Sequence, residues 1–160
     1  MVEFLRRFVV EAFRASIIDQ AFPLARIAAP SLEVGRWRAY ARRLVAHPSG
    51  SRGAFVVRDR RGYLNGLAIW LISETLDHER ALHVECLVAA DLFDERAITA
   101  ALMKAIERHA ARRLCDAIHL LIPSDGPELD AMMSGASSFR PEAHIFCHKL
   151  ADKPNRAYPT

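Results

Sequence analysis

The period of apolar residues changes repeatedly along this chain, and each change marks a new kind of element. Leu5, Phe8, Val9, Ala12 and Phe13 fit a helical stripe, while Phe8-Val-Val fits a short strand, and the strand is the reading adopted. From about Ser16 to Ala28, the residues Ile17, Ile18, Ala21, Phe22, Leu24 and Ala25 suit a helix that Pro30 closes. Ser31 stands where an N-cap would open a second helix, with Val34, Trp37, Ala41, Leu44 and Val45 on one face. From Gly53 the period drops to two. Ala54 to Val57, the turn Asp59-Arg-Arg-Gly62 and the run Tyr63 to Ile72 predict a hairpin whose Gly62 supplies a positive φ. Ala81 to Val88 reads as a third extended run. A helix follows Asp94, carried by Ile98, Ala101, Leu102, Ala105 and Ile106. Ala117 to Ile122 predicts a short strand ended by Pro123, Glu128 to Met133 a short helix, and Ala143 to Leu150 a closing strand. The predicted order β-α-α-β-β-β-α-β-α-β is α/β (α+β), a mixed sheet with helices on both faces.

Composition narrows the setting. With 160 residues, 51% hydrophobic and 26% charged, the chain suits one domain over residues 1–150 with a loosely held tail, 151–160, that contains Pro154 and Pro159. The longest apolar stretches fall well short of a membrane span; Asn65 and Gly66 interrupt the run from Leu64 to Ile72. Cys86, Cys115 and Cys147 are too widely spaced for a disulfide scaffold or a zinc ribbon, which fits reduced thiols in the cytoplasm. The amino terminus lacks a long apolar core and a small-residue cleavage site, so it reads as part of the fold. Net charge is +3, carried mostly by arginines scattered among Asp and Glu, the pattern of a solvated surface more than of a nucleic-acid face.

The element order, together with the run from Cys86 to Leu102, CLVAADLFDERAITAAL, resembles the GNAT N-acetyltransferase superfamily over about Phe8 to Leu150. The resemblance implies a GNAT-like, six- to seven-stranded sheet and acetyl-CoA as acyl donor. In that family a strand leads through a short loop into Arg/Gln-x-x-Gly-x-Gly/Ala at the start of a helix. Its spacing here places Asp94, Ala97 and Thr99 at the three marked positions. Such a loop aims unpaired helix amides at a diphosphate, which the helix dipole also favours. The implied contacts are Leu87, Val88 and Ala89 along the pantetheine arm, and Glu95, Arg96, Ala97, Ile98 and Thr99 at the phosphates. Asp94 is the departure of consequence, since as an N-cap its carboxylate would take the amides that a phosphate uses. The tyrosine that often protonates the departing thiolate is also missing. Spacing back from Phe139 puts its place on Ser134, whose hydroxyl is too weak an acid, and Ser138 stands where the family has glycine.

His83 and Glu85, two apart on the third core strand, project from one sheet face. The family commonly places a glutamate or a water relay on that strand, so Glu85 is the first candidate for the base that takes the amine proton and His83 the second. The plainer reading is a polar network lining a cleft. Alternation puts Cys86 on the opposite face, as a small core residue. His144, Cys147, His148 and His119 lie near one another in the pattern, but alternation separates Cys147 from its neighbours and no metal site is expected. Trp37, Tyr40 and Trp70 read as core before cleft lining.

Two functions compete. One is an acyl-CoA-dependent N-acyltransferase acting on a small-molecule or peptide amine. The other is a catalytically silent GNAT-like binding or assembly module, as a homodimer. A nucleic-acid-associated protein would need the arginines gathered on one face.

Overall fold

A computed structural model describes residues 8–47, 49–122 and 139. The chain divides into two compact units, Met1–Leu121 and Ile122–Thr160. The helix expected over 128–133, the strand over 143–150 and the tail lie outside the described residues.

The first unit opens with β1 (Phe8–Ala12), the element for which strand and helix patterns competed. A 3-10 turn (Ala15–Ile17) leads into α1 (Ile18–Ala28), followed by α2 (Val34–Val45). Ser31 does not cap α2. The Leu32 amide donates to the Ala29 carbonyl at 2.9 Å, which places Ser31 inside a turn, and the N-cap is Glu33, whose extended backbone precedes the first helical bond from Trp37 N at 2.9 Å. Next come β2 (Arg52–Asp59), β3 (Leu64–Ser73), β4 (Ala81–Ala89), α3 (Glu95–Arg112) and β5 (Ala117–Leu120). The β2–β3 turn works as expected: Gly62 has φ +90°, and Asp59 Oδ1 accepts the amides of Arg61 and Tyr63, each at 2.9 Å.

The strands stand in chain order, β1-β2-β3-β4-β5, with antiparallel pairs up to β4 and a parallel β4–β5 pair joined by the α3 crossover. Five strands are present among the described residues, below the six or seven expected. Helices α1 and α2 cover one face, where Phe13, Ile17, Leu24, Trp37 and Leu44 pack on Val56, Leu67, Ile69 and Val88. Trp37 is core as expected, 2% exposed, with its indole N–H donated to the Ile18 carbonyl at 2.7 Å.

Helix α3 covers the other face through Ile98, Leu102 and Ile106, all fully buried. It lies so close to β3 that a methyl group on Gly66 would meet Ile98 Cγ2 at 2.6 Å and Val57 Cβ at 3.2 Å. Further along, the His109 ring packs on Trp70, with centroids 4.2 Å apart, and its Nε2 is buried without a hydrogen-bond partner. Burial, then the charges of Arg112 and Arg113, pull the His109 pKa below the ordinary imidazole value.

Gly66→Ala is expected to destabilise the protein by about 1–3 kcal/mol through overpacking, measured by denaturant unfolding; parent-like stability would show that α3 does not approach β3 this closely. His109 gives a pH dependence of definite sign. With its folded pKa depressed, the unfolded chain binds more protons, so its contribution is present above about pH 6.5 and lost as pH falls through and below that value. Unfolding curves taken across this range should show stability falling toward acid, with a smaller slope in His109→Gln.

Candidate active site

The register of β4 decides what gathers on its α1/α2 side. Trp70 pairs with Val84 and Ile69 pairs with Cys86, so Glu85 is an extra residue, a β-bulge in β4. The bulge corrects the expectation for Cys86. Strict alternation would put it opposite Glu85, but the added residue resets the phase, and Cys86 packs against the α1/α2 core with Ile69 while Glu85 reaches α2 on the same side.

Two side chains from elsewhere in the chain converge on Glu85. Tyr40, on α2, donates its hydroxyl to Glu85 Oε2 at 3.1 Å. Arg52, at the start of β2, holds Nη2 3.5 Å from the same oxygen and lies over the Tyr40 ring, 5.8 Å from its centroid. Burial and then the Glu85 charge push the Tyr40 phenol up to about 12, so it stays protonated. Burial and then Glu85 also push the Cys86 thiol up to about 12, which keeps it a thiol and removes it as a nucleophile.

His83 lies on the same face, opposite Leu71, with its Nε2 3.0 Å from Ser73 Oγ. Its ring meets that of His119 on β5 edge to face, centroids 4.9 Å apart, and His119 in turn meets His78 at 5.3 Å. Burial, then the neighbouring His119, lower the His83 pKa. Among the described residues no group of three His, Cys, Asp or Glu side chains could hold a metal ion.

Strand β5 pairs with β4 only from Ala81 to Val84, ending with the Leu121 amide on the Val84 carbonyl at 3.0 Å. Beyond that point β3 is the only strand partner of Glu85–Ala89 among the described residues. Glu85 is thus the first β4 residue beyond the pairing with β5. Leu87 and Ala89 are partly exposed, whereas Val88 turns into the α1/α2 core.

At the end of this edge, the loop into α3 is built differently from the expectation. Asp94 occupies the N-cap position but makes no side-chain capping hydrogen bond. Asp91 organises the turn instead: its Oδ1 accepts the amides of Phe93 at 2.9 Å and Asp94 at 3.0 Å, and its Oδ2 accepts from Asn65 Nδ2 at 3.2 Å. An aspartate two residues before a turn amide captures it locally before a helix can form, which is why the role falls to Asp91. Glu95, Arg96 and Ala97 are exposed and Thr99 is partly so, while the Ile98 side chain is buried and its amide already donates to the Asp94 carbonyl at 3.0 Å.

The fold of the chain has parallels among solved structures. It is similar to the aminoglycoside N-acetyltransferase AAC(6')-Iy in complex with CoA, at TM-score 0.77 and 14% identity over 89% of this chain and 94% of that one. An aminoglycoside antibiotic 6'-N-acetyltransferase from Acinetobacter baumannii gives TM-score 0.75 and 13% identity over 91% of this chain and 99% of the other. A ribosomal-protein-alanine N-acetyltransferase from Brucella melitensis biovar Abortus 2308 gives TM-score 0.69 and 16% identity, over 89% and 99%. The chain has the GNAT fold. At identities this low the likeness is one of fold. No protein-family model matches the sequence, and neither does any curated protein.

Sequence reasoning named Glu85, His83 and the edge Leu87–Ala89 as candidates but did not anticipate that Tyr40 and Arg52 meet Glu85. Tyr40 was read as core, and its half-buried ring does stack on Trp37, centroids 6.4 Å apart. Nothing local to Arg52 marks it; its meeting with Glu85 is set by the β2–β3–β4 register. Asp91→Ala, which removes a carboxylate accepting two loop amides, is expected to lower stability by about 1–3 kcal/mol in chemical denaturation. Undiminished stability would show that the loop holds its shape without Asp91.

Proposed function

We propose that the protein is an acyl-CoA-dependent N-acyltransferase that moves an acetyl group onto a primary amine of a small molecule or peptide, with Glu85 as the base. One observation carries this reading: a carboxylate stands at the residue where β4 parts from β5, with one oxygen engaged by Tyr40 and Arg52. The charge-assisted contacts on Oε2 fix the side chain and leave Oε1 to accept a proton from an amine.

The chain's residues also suit acyl-CoA as a substrate. The edge Glu85–Ala89 offers backbone groups to a pantetheine amide, and the amides of Glu95, Arg96 and Ala97 precede the first helical bond of α3. The objection raised by Asp94 weakens because its carboxylate does not cap those amides. Arg96, exposed on the first turn, supplies a cation for a phosphate. Aminoglycoside N-acetyltransferases of the same fold were determined with CoA and with a CoA-containing bisubstrate analogue, which supports a site for acyl-CoA and an amine acceptor here.

Calorimetric titration with acetyl-CoA and longer acyl-CoAs tests the reading first. Saturable binding is expected; silence at high ligand concentration would favour a catalytically silent module of the same fold. With an accepted amine in hand, Glu85→Gln should lower kcat by roughly a hundredfold or more while acetyl-CoA affinity stays as in the parent, because the side chain acts on the amine. His83→Ala tests the second candidate base in the same assay. Undiminished turnover in both variants would remove this strand face from the mechanism.

A further inference from the structure

We infer that Arg52 makes the acceptor site selective for an amine whose own carbon carries a carboxylate, as in a free α-amino acid. This rests on the acyltransferase reading above, with Glu85 as the base. The observation behind it is a pair of opposite charges set side by side: the Arg52 guanidinium stands 3.5 Å from Glu85 Oε2, at the first residue of β4 beyond the pairing with β5. An amine and a carboxylate on one carbon are the complement of that pair. An acceptor that brings its nitrogen to Glu85 sets such a carboxylate against Arg52.

Arg52 has donors to spare for such a group. Its approach to Glu85 is longer than a good hydrogen bond, its buried Nε–H finds no partner among the described residues, and 39% of the side chain is exposed. The guanidinium is also held in place before any ligand arrives. It lies over the Tyr40 ring, 5.8 Å from the centroid, and that ring stacks on Trp37, whose indole N–H is tied to the Ile18 carbonyl.

The neighbouring floor leaves Arg52 as the lasting positive charge. Register sets Arg52, Leu71, His83 and His119 in one row across β2, β3, β4 and β5, on the face that Glu85 shares. Burial, then His119, lower the His83 pKa, so this imidazole is mostly neutral at pH 7, whereas a guanidinium is charged throughout. Asp116, beside these histidines, is engaged by His78 at 3.4 Å and by the Arg80 amide at 3.2 Å. A polycationic acceptor would meet Arg52 as a like charge. An amino acid meets one partner for each of its charges.

The test compares each common amino acid with its own carboxamide as acetyl acceptor, using the full chain as parent, Arg52→Gln and Arg52→Lys. The parent should prefer the free acid by roughly ten- to hundredfold in kcat/KM. Arg52→Gln should bring that ratio close to one, and Arg52→Lys should restore it only in part, because lysine keeps the charge without the planar fork. Any disturbance of Glu85 slows both acceptors alike and cancels in the ratio, so the ratio reads contact with the carboxylate. A parent that acetylates the carboxamides as readily as the acids, or a ratio unmoved by Arg52→Gln, would overturn the assignment and leave the acyltransferase reading intact. If the parent acetylates no amine, calorimetric titration of the same amino acids in the presence of excess CoA decides. Binding that Arg52→Gln abolishes would keep Arg52 as an amino-acid carboxylate site while overturning acyl transfer; no binding, or binding indifferent to Arg52→Gln, would overturn the assignment as well.

Discussion

Between Val84 and Cys86, β4 carries one residue more than β3 can pair, and the sheet absorbs the excess at Glu85. A bulge of this kind bends the strand and increases its local twist. It falls where β5 stops following β4, so the change in direction and the loss of the neighbouring strand coincide. Alternation with His83 already turns Glu85 toward α2, where Tyr40 and Arg52 hold it, and the insertion brings Cys86 into the core on the same side. Without the extra residue, alternation would continue and Cys86 would fall on the α3 side.

The core makes that bend permanent. On one face the packed side chains of α1 and α2 fix the height of Tyr40 through Trp37. On the other, the missing side chain of Gly66 lets α3 settle against β3, which fixes where the helix begins relative to the end of β4. Asp91 then shapes the few residues between them and ties them to Asn65 at the head of β3. A loop without the family's glycines therefore has its own means of holding a turn before the helix.

Much of this was legible from periodicity, because hydrophobic spacing is the signal that burial on one face leaves behind. The hairpin at Gly62, the helix after Asp94 and the two strands it joins all follow from such spacing. What escaped was set by tertiary context. Val84, Cys86 and Val88 read as clean alternation, and a single inserted residue leaves no trace in that pattern because Glu85 is polar in either register. Ser31 and Asp94 have the chemistry of caps but lie in turns whose backbone bonds claim them differently. Tyr40 carries the signature of a core aromatic and also a hydroxyl, and only the assembled sheet shows that the hydroxyl meets a carboxylate from a residue 45 positions away.

On the acyltransferase reading proposed above, the strand edge beginning at Glu85 is where an acyl-CoA would dock. Amide hydrogen exchange, resolved by residue over β4, tests it most directly. In the free protein the alternate amides of Glu85–Ala89 that do not pair with β3 should exchange quickly, while those of Ala81–Val84, held between β3 and β5, exchange slowly. Saturating acetyl-CoA should protect those edge amides together with the first amides of α3. Protection confined to other parts of the chain, or none over residues 85–97 when calorimetry shows the ligand bound, would contradict the account.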